Sequence, residues 1–258
     1  MRALVTGAGK RIGQAMAIAL ARQGYDVAVH FATSRKDAEK TAEQVRALGK
    51  RAELLQADLL LEEDAASLLP AASEALGGPI TCLVNNASIF EHDSIETATR
   101  QSWDRHFGSN LRAPFQLIQA MAAQDMAQPV DSSGEPIAWG LVVNMIDQRV
   151  RALTPEFMSY TLAKSALWTL TQTAAQSLAP RIRVNAIGPG PTLQGLRQSS
   201  DQFARQRAST LLGRGANLRD ITSALDYFLT APAVTGQLIC VDGGQHLAWE
   251  TPDVVGLE

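Results

Sequence analysis

The chain has 258 residues, 46% of them hydrophobic, with 23 Lys+Arg against 26 Asp+Glu and a formal net charge of −3. That is enough apolar material for one sizeable core, and a near-balanced charge without a basic stripe argues against nucleic acid as a partner. The chain opens on the apolar run Ala3–Val5 with no charged-then-apolar leader, and no stretch approaches about 20 uninterrupted apolar residues. A cytoplasmic protein with no membrane partner is therefore expected. Cys82 and Cys240 sit in strand-like apolar runs and are expected to be buried free thiols rather than metal ligands or a disulfide.

A first strand over Arg2–Thr6 leads through Thr6-Gly7-Ala8-Gly9-Lys10-Arg11-Ile12-Gly13 into a helix over Ile12–Gln23. Small residues at such a turn let the backbone approach a pyrophosphate, and the helix start offers unpaired N–H groups and a positive dipole end. Gly7, Lys10, Arg11, Ile12 and Gly13 are thus candidate cofactor contacts. The second strand, Asp26–Phe31, ends in His30-Phe31-Ala32-Thr33-Ser34-Arg35 before a helix over Lys36–Leu48. An acid here would bind the ribose hydroxyls of NAD, but none occurs before Asp37. Ser34 and Arg35 instead offer hydroxyl and guanidinium donors to a ribose 2′-phosphate, so NADP is the expected cofactor. The alternative is that Arg35 merely opens an exposed helix.

The third strand, Ala52–Gln56, precedes Asp58, Leu59 and a helix over Asp64–Leu76, and the fourth, Thr81–Asn85, runs into Asn86-Ala87-Ser88-Ile89-Phe90. One long helix is expected over Thr99–Gln124, carrying Asn110, with a surface loop at Gln128–Pro136. A fifth strand, Gly140–Met145, is followed by Asp147 and a helix over Pro155–Leu178. That helix carries Tyr160 and Lys164 on one face, four residues apart. A cation there favours the phenolate and would lower the tyrosine pKa towards use as an acid or base. A sixth strand, Arg181–Ala186, leads to Gly188-Pro189-Gly190. Residues 189–215 break the pattern and are expected to form a mobile substrate flap. A helix over Arg219–Leu229, a strand over Gln237–Val241 and a tail over 245–258 complete the chain. Strand–helix alternation throughout means a single-domain, doubly wound parallel α/β sheet of about seven strands with helices on both faces.

Taken in order, these motifs resemble the short-chain dehydrogenases/reductases over almost the whole chain: the Gly-rich start, Asp58, Asn85-Asn86-Ala87-Ser88, Asn110, Tyr160-x-x-x-Lys164, Gly188-Pro189-Gly190 and Val241-Asp242-Gly243-Gly244. The resemblance implies a Rossmann-type fold, and adds His30, Asp58, Leu59, Asn86, Ala87, Ser88, Tyr160, Lys164, Pro189 and Gly190 to the cofactor contacts. It implies a catalytic group of Asn110, Asp147, Tyr160 and Lys164. In it, Tyr160 donates or relays a proton, Lys164 lowers its pKa, and Asn110 holds a water linked to solvent. No metal is implied.

Two departures narrow the subgroup. Where the family usually has glycine at 11 and serine at 147, this chain has Arg11 and Asp147, as do the pteridine reductases and the dihydromonapterin/dihydrofolate-type reductases. Asn86-Ala87-Ser88-Ile89-Phe90, Phe107-Gly108-Ser109-Asn110 and Asn144-Met145-Ile146-Asp147 are similar to that subgroup too. The implied substrate is a dihydropterin stacked on Phe90 and contacted by Arg11, Ser88, Asp147 and Tyr160. Arg11 could equally be a plain pyrophosphate contact. The alternatives are reduction of a ketone or 3-oxoacyl substrate, and a catalytically weak NADP-binding sensor. A homotetramer, or failing that a dimer, is expected, packed through the helices of Thr99–Gln124 and Pro155–Leu178. The apolar excess of Leu162, Leu167, Trp168 and Leu170 on the second of these would serve the interface.

Overall fold

The computed structural model describes residues 1–195 and 198–250. Strands β1 (Arg2–Val5), β2 (Asp26–Phe31), β3 (Ala52–Gln56), β4 (Cys82–Asn85), β5 (Gly140–Met145), β6 (Ile182–Pro189) and β7 (Leu238–Val241) form one seven-stranded sheet. All pairings are parallel, in the order β3-β2-β1-β4-β5-β6-β7. The strands are short apolar runs because both faces are covered, and period-two alternation sends neighbouring residues to opposite cores. Ala3, Val5, Val27 and Val29 face α1 (Arg11–Arg22), α2 (Arg35–Ala47) and α8 (Leu218–Thr230). Leu4, Ala28, Leu83 and Val142 face α3 (Glu62–Leu76), α5 (Ala113–Ala122) and α6 (Met158–Leu178).

Each helix buries the stripe its sequence offers. In α8 it is Ile221, Ala224, Leu225 and Phe228, and in α2 it is Ala38, Thr41, Ala42 and Val45. Full burial of one such Leu or Phe stabilises by about 1.5–3 kcal/mol. The reversal of strand order between β1 and β4 opens a crevice at the carboxyl ends of the strands, which is where ligands bind in open α/β sheets.

Three expectations are corrected. The helix expected over Thr99–Gln124 is broken into α4 (Arg100–Phe107), a π-type turn over Gly108–Arg112, and α5. Pro114 has no N–H to return to the carbonyl of Asn110, so the regular ladder cannot run through. The segment 189–215 is more ordered than expected. It begins as the last residue of β6 and contains α7 (Ser200–Ala208), capped by a reciprocal pair between Ser199 and Gln202. Leu167, expected at an interface, lies in the core against Ile146 and Ala186, while Leu162 is exposed. Residues 196–197 of the expected flap and 251–258 of the expected tail lie outside the described residues. Cys82 is buried and Cys240 half-buried, and both are free thiols.

Candidate active site

The Gly-rich turn between β1 and α1 is shaped by close approach. Gly7 has φ 61°, and a Cβ on Gly13 would lie 2.2 Å from the Gly7 carbonyl oxygen, so α1 can begin against the turn only without a side chain there. The end of β2 braces this turn. The Gly7 N–H donates to His30 Nδ1 at 3.0 Å, while His30 Nε2 lies 3.1 Å from the Ala57 carbonyl. An acceptor at Nδ1 leaves the proton on Nε2 and makes the ring neutral. Burial depresses the His30 pKa in the same direction, opposed by its bond to Ala57 and the charge of Asp58. Asn86 braces the turn from β4, its amide donating to the carbonyls of Thr6 (2.9 Å) and Gly7 (3.2 Å).

A cleft of about 610 Å³ follows these elements. Gly7, Lys10, Arg11, Ile12 and Gly13 line it at the turn, His30 and Ser34 at the end of β2, Asp58 and Leu59 after β3, and Asn86, Ala87 and Ser88 after β4. Thr33, Arg105 and Ser109 also line it, and sequence reasoning did not find them. Arg35 stands outside its lining. The guanidinium is exposed, paired with Glu39 at 3.3 Å and held 5.8 Å above the ring of Phe31, which does line the cleft. Pro189 and Gly190 also lie off the lining. Gly190 is fixed by packing, since a Cβ there would meet Asp242 at 2.5 Å. Arg11 has a left-handed backbone, φ 57°, and donates to the carbonyls of Gln194 (3.0 Å) and Leu193 (3.2 Å).

At the carboxyl end of β5 and the first turns of α6, Asp147, Tyr160 and Lys164 come together. Tyr160 and Lys164 are buried, 5% and 2% exposed. The Tyr160 hydroxyl donates to Asp147 Oδ2 at 3.0 Å, and the Arg149 N–H donates to Asp147 Oδ1 at 2.8 Å. Asp147 as a whole is half-buried, but its carboxyl is hemmed in, and burial raises its pKa against the pull of Arg149, Tyr160 and Lys164. The expectation that Lys164 lowers the tyrosine pKa is overturned. Burial first, then the Asp147 charge, raise Tyr160 well above its ordinary value. Lys164 Nζ is turned to the Met145 carbonyl at 2.7 Å, 5.7 Å from the centre of the phenol ring. Its own pKa is lowered to about 8 by burial, against Asp147.

Asn110 is fully buried, and its side chain is committed to Ile89: Nδ2 donates to the carbonyl at 2.9 Å and Oδ1 accepts the N–H at 3.0 Å. A water held by Asn110 would therefore rest on its main-chain carbonyl, which Pro114 deprives of its helical partner. Phe90 is half exposed and meets the Tyr160 ring edge-on at 4.7 Å. Phe157 stacks on Phe90 at 4.2 Å and 9°, and the Arg149 guanidinium lies 5.1 Å from the Phe157 ring. Phe157 and Arg149 were missed from sequence. The only signal was an Arg two residues past Asp147 and an aromatic three before Tyr160.

A cleft along the Gly-rich turn and the carboxyl ends of β2 and β4, with a buried Tyr–Lys–Asp group on the same doubly wound sheet, defines an oxidoreductase of the short-chain class, and the chain belongs to that family: the family described as Enoyl-(Acyl carrier protein) reductase matches residues 7–246. The alternative dihydrofolate reductase 1, FolM, of Brucella canis, solved with NADP, superposes with a TM-score of 0.90 at 46% identity, covering 98% of this chain and 96% of that one. The 3-oxoacyl-(acyl-carrier-protein) reductase FabG of Staphylococcus aureus is 31% identical over 250 residues, 95% of this chain and 98% of that protein. The angucycline C-6 ketoreductase LanV, solved with NADP, superposes with a TM-score of 0.84 at 29% identity and 96% coverage of each chain. The resemblance to short-chain reductases of the dihydrofolate-reducing kind is borne out at the level of family and neighbour.

Proposed function

We propose that this chain is an NADPH-dependent reductase of a dihydropterin-type substrate, such as dihydromonapterin or dihydrofolate. The observation that carries the reading is Asp147, a carboxyl whose pKa is raised by burial, 3.0 Å from the Tyr160 hydroxyl where the family usually has serine. NADP(H) fits the cleft: the side-chain-free turn at Gly7 and Gly13 admits a pyrophosphate at the start of α1, Lys10 and Arg11 can neutralise it, and Ser34 faces the same space with no acid beside it. When bound, the cofactor supplies the hydride.

The chain's own task is the proton. Tyr160, its pKa raised, stays protonated at neutral pH and can give its proton to a substrate nitrogen. Asp147 orients the phenol and, protonated, can donate in its place. Lys164 holds the end of β5 and, near pH 8, exchanges its own proton. A water on the Asn110 carbonyl, which has no N–H four residues on at Pro114, would link it to solvent. Phe90, with Phe157 stacked on one face and half of its surface exposed, offers aromatic surface to a pterin, and Ser88 lines the cleft with its hydroxyl. An ionised Asp147 would repel the alkoxide that forms when a ketone is reduced, which weighs against carbonyl chemistry. The relationship to FabG supports 3-oxoacyl reduction as the second reading.

NADPH oxidation measured against dihydromonapterin, dihydrofolate, 3-oxoacyl thioesters and simple ketones separates the two. The highest kcat/KM is expected on a dihydropterin, and a clear preference for 3-oxoacyl thioesters would overturn the assignment.

A further inference from the structure

The helix that presents Tyr160 begins without a cap of its own. Its N-cap residue, Phe157, has no side-chain acceptor and a left-handed backbone at φ 58°, so the first N–H groups of α6 need partners from elsewhere. Asp93, from the loop after β4, supplies them. Its carbonyl accepts the Met158 N–H at 3.2 Å and its Oδ1 accepts the Ser159 N–H at 3.1 Å. A carboxylate at that end also meets the positive end of the helix dipole.

The same carboxylate continues into a buried chain of hydrogen bonds. The Ser159 hydroxyl donates to Asp93 Oδ2, and His106 Nδ1 lies 2.6 Å from that hydroxyl. His106 Nε2 accepts the Glu91 N–H at 3.1 Å, which fixes the proton on Nδ1 and makes the ring the donor to Ser159. Ser102 in the first turn of α4 adds a bond to Asp93 Oδ2 at 3.1 Å. Asp93, Ser159 and His106 are 2% exposed or less.

This chain meets the site at two points. The His106 ring lies edge-on to the Tyr160 ring at 6.0 Å, and Ser159 precedes Tyr160 directly. Both neighbours of Phe90 are pinned as well, Ile89 by Asn110 and Glu91 by His106. We propose that Asp93, Ser159 and His106 are positioning residues for the reductase site: Asp93 caps α6 from outside, and the three together set the Tyr160 ring edge-on to Phe90. The proposal rests on Tyr160 being the working phenol. Each bond alone is modest, but a fully satisfied buried network fixes one arrangement, and small displacements of reacting groups cost large factors in rate.

Two readouts test it. With tyrosine labelled with carbon-13 at Cζ, Tyr25, Tyr160 and Tyr227 give three resonances, assigned with Tyr160→Phe. Ser159→Ala removes the shared hydroxyl and Ser159→Thr keeps it. Asp93→Asn keeps an oxygen for the helix cap, so it serves even if Ser159→Ala fails to fold. The Tyr160 resonance is expected to shift in Ser159→Ala and Asp93→Asn with those of Tyr25 and Tyr227 unmoved, and to return in Ser159→Thr. On the best substrate, kcat should fall about tenfold with the NADPH Kd unchanged. An unmoved Tyr160 resonance in both variants overturns the proposal, as does a shift of all three resonances together with weaker NADPH binding. If no substrate is turned over, the functional reading fails, and the resonances decide the positioning proposal alone.

Discussion

A single carboxyl separates the two chemistries open to this fold. Asp147 accepts from Tyr160 and from the Arg149 N–H yet is pushed up in pKa by burial, so its neutral form is favoured relative to an exposed aspartate. Asp147→Ser is expected to lower kcat/KM for a dihydropterin about tenfold, roughly 1.4 kcal/mol of transition-state stabilisation, while leaving turnover of simple ketones equal or higher. Unchanged dihydropterin turnover would take Asp147 out of the proton path. At the other end of the cleft, Arg35 is exposed and shared with Glu39, so its contribution depends on leaving that pair for a ribose phosphate. Arg35→Ala should weaken NADPH binding about tenfold and leave NADH nearly unaffected by calorimetry, as expected for loss of one charge-assisted contact worth about 1.4 kcal/mol. The Tyr160, Lys164 and Asp147 positions were legible because spacing on one helix and an order of motifs carried them. Their electrostatics were not. The direction in which Lys164 Nζ points, and the burial that overrides its charge, depend on where β5 ends in space.

Among the elements, the strands were readable to within a few residues, since short apolar runs bounded by glycine and polar residues have few other uses in a chain of this length. Breaks and caps were harder. Pro114 was visible, but a proline inside an apolar helical pattern marks either a kink or a fresh start. Helix α7 buries none of its residues and so has no periodic stripe to find, although Ser199 and Gln202 form the capping pair that marks a helix start. The cap that α6 receives from Asp93 comes from a loop 66 positions away, and no local pattern encodes it. The turn between β1 and α1 yields a pH prediction through His30. Its folded pKa is depressed, so the unfolded chain binds the proton more readily, and stability held above about pH 6.5 is lost as pH falls below it. The same proton removes the acceptor for the Gly7 N–H. NADPH affinity and thermal stability should therefore decline together below about pH 6.5. His30→Gln, which offers an amide oxygen and an amide nitrogen to the same partners, should flatten that decline in calorimetry and thermal melts.

At the scale of the whole molecule, a doubly wound sheet could be inferred from alternation alone, and the strand order then fixes the crevice between β1 and β4. What alternation does not supply is the surface. Trp103, Phe115 and Leu162 are exposed large apolar side chains on α4, α5 and α6, with Trp103 stacked on Phe107 at 4.4 Å. Leu167, counted towards the interface in the sequence, is absorbed by the core, where it packs against Ile146 and Ala186. The homotetramer is our proposal, built on the exposed Trp103, Phe115 and Leu162, and light scattering at micromolar concentration should detect it. Phe115→Glu is expected to shift the population to smaller species, and a monomeric wild-type protein would contradict the assignment.

If Arg11 contacts cofactor or substrate as proposed, its left-handed backbone makes one residue a compromise between folding and use. An arginine held at positive φ costs on the order of 1–2 kcal/mol relative to glycine, and glycine is what the family usually carries there. Arg11→Gly should consequently melt at a higher temperature than wild type while binding NADPH more weakly and reducing its substrate more slowly. A variant that gains thermal stability and loses turnover would mark position 11 as a place where robustness has been surrendered for activity. Stability screens run without cofactor would then select against a side chain that the proposed reaction uses.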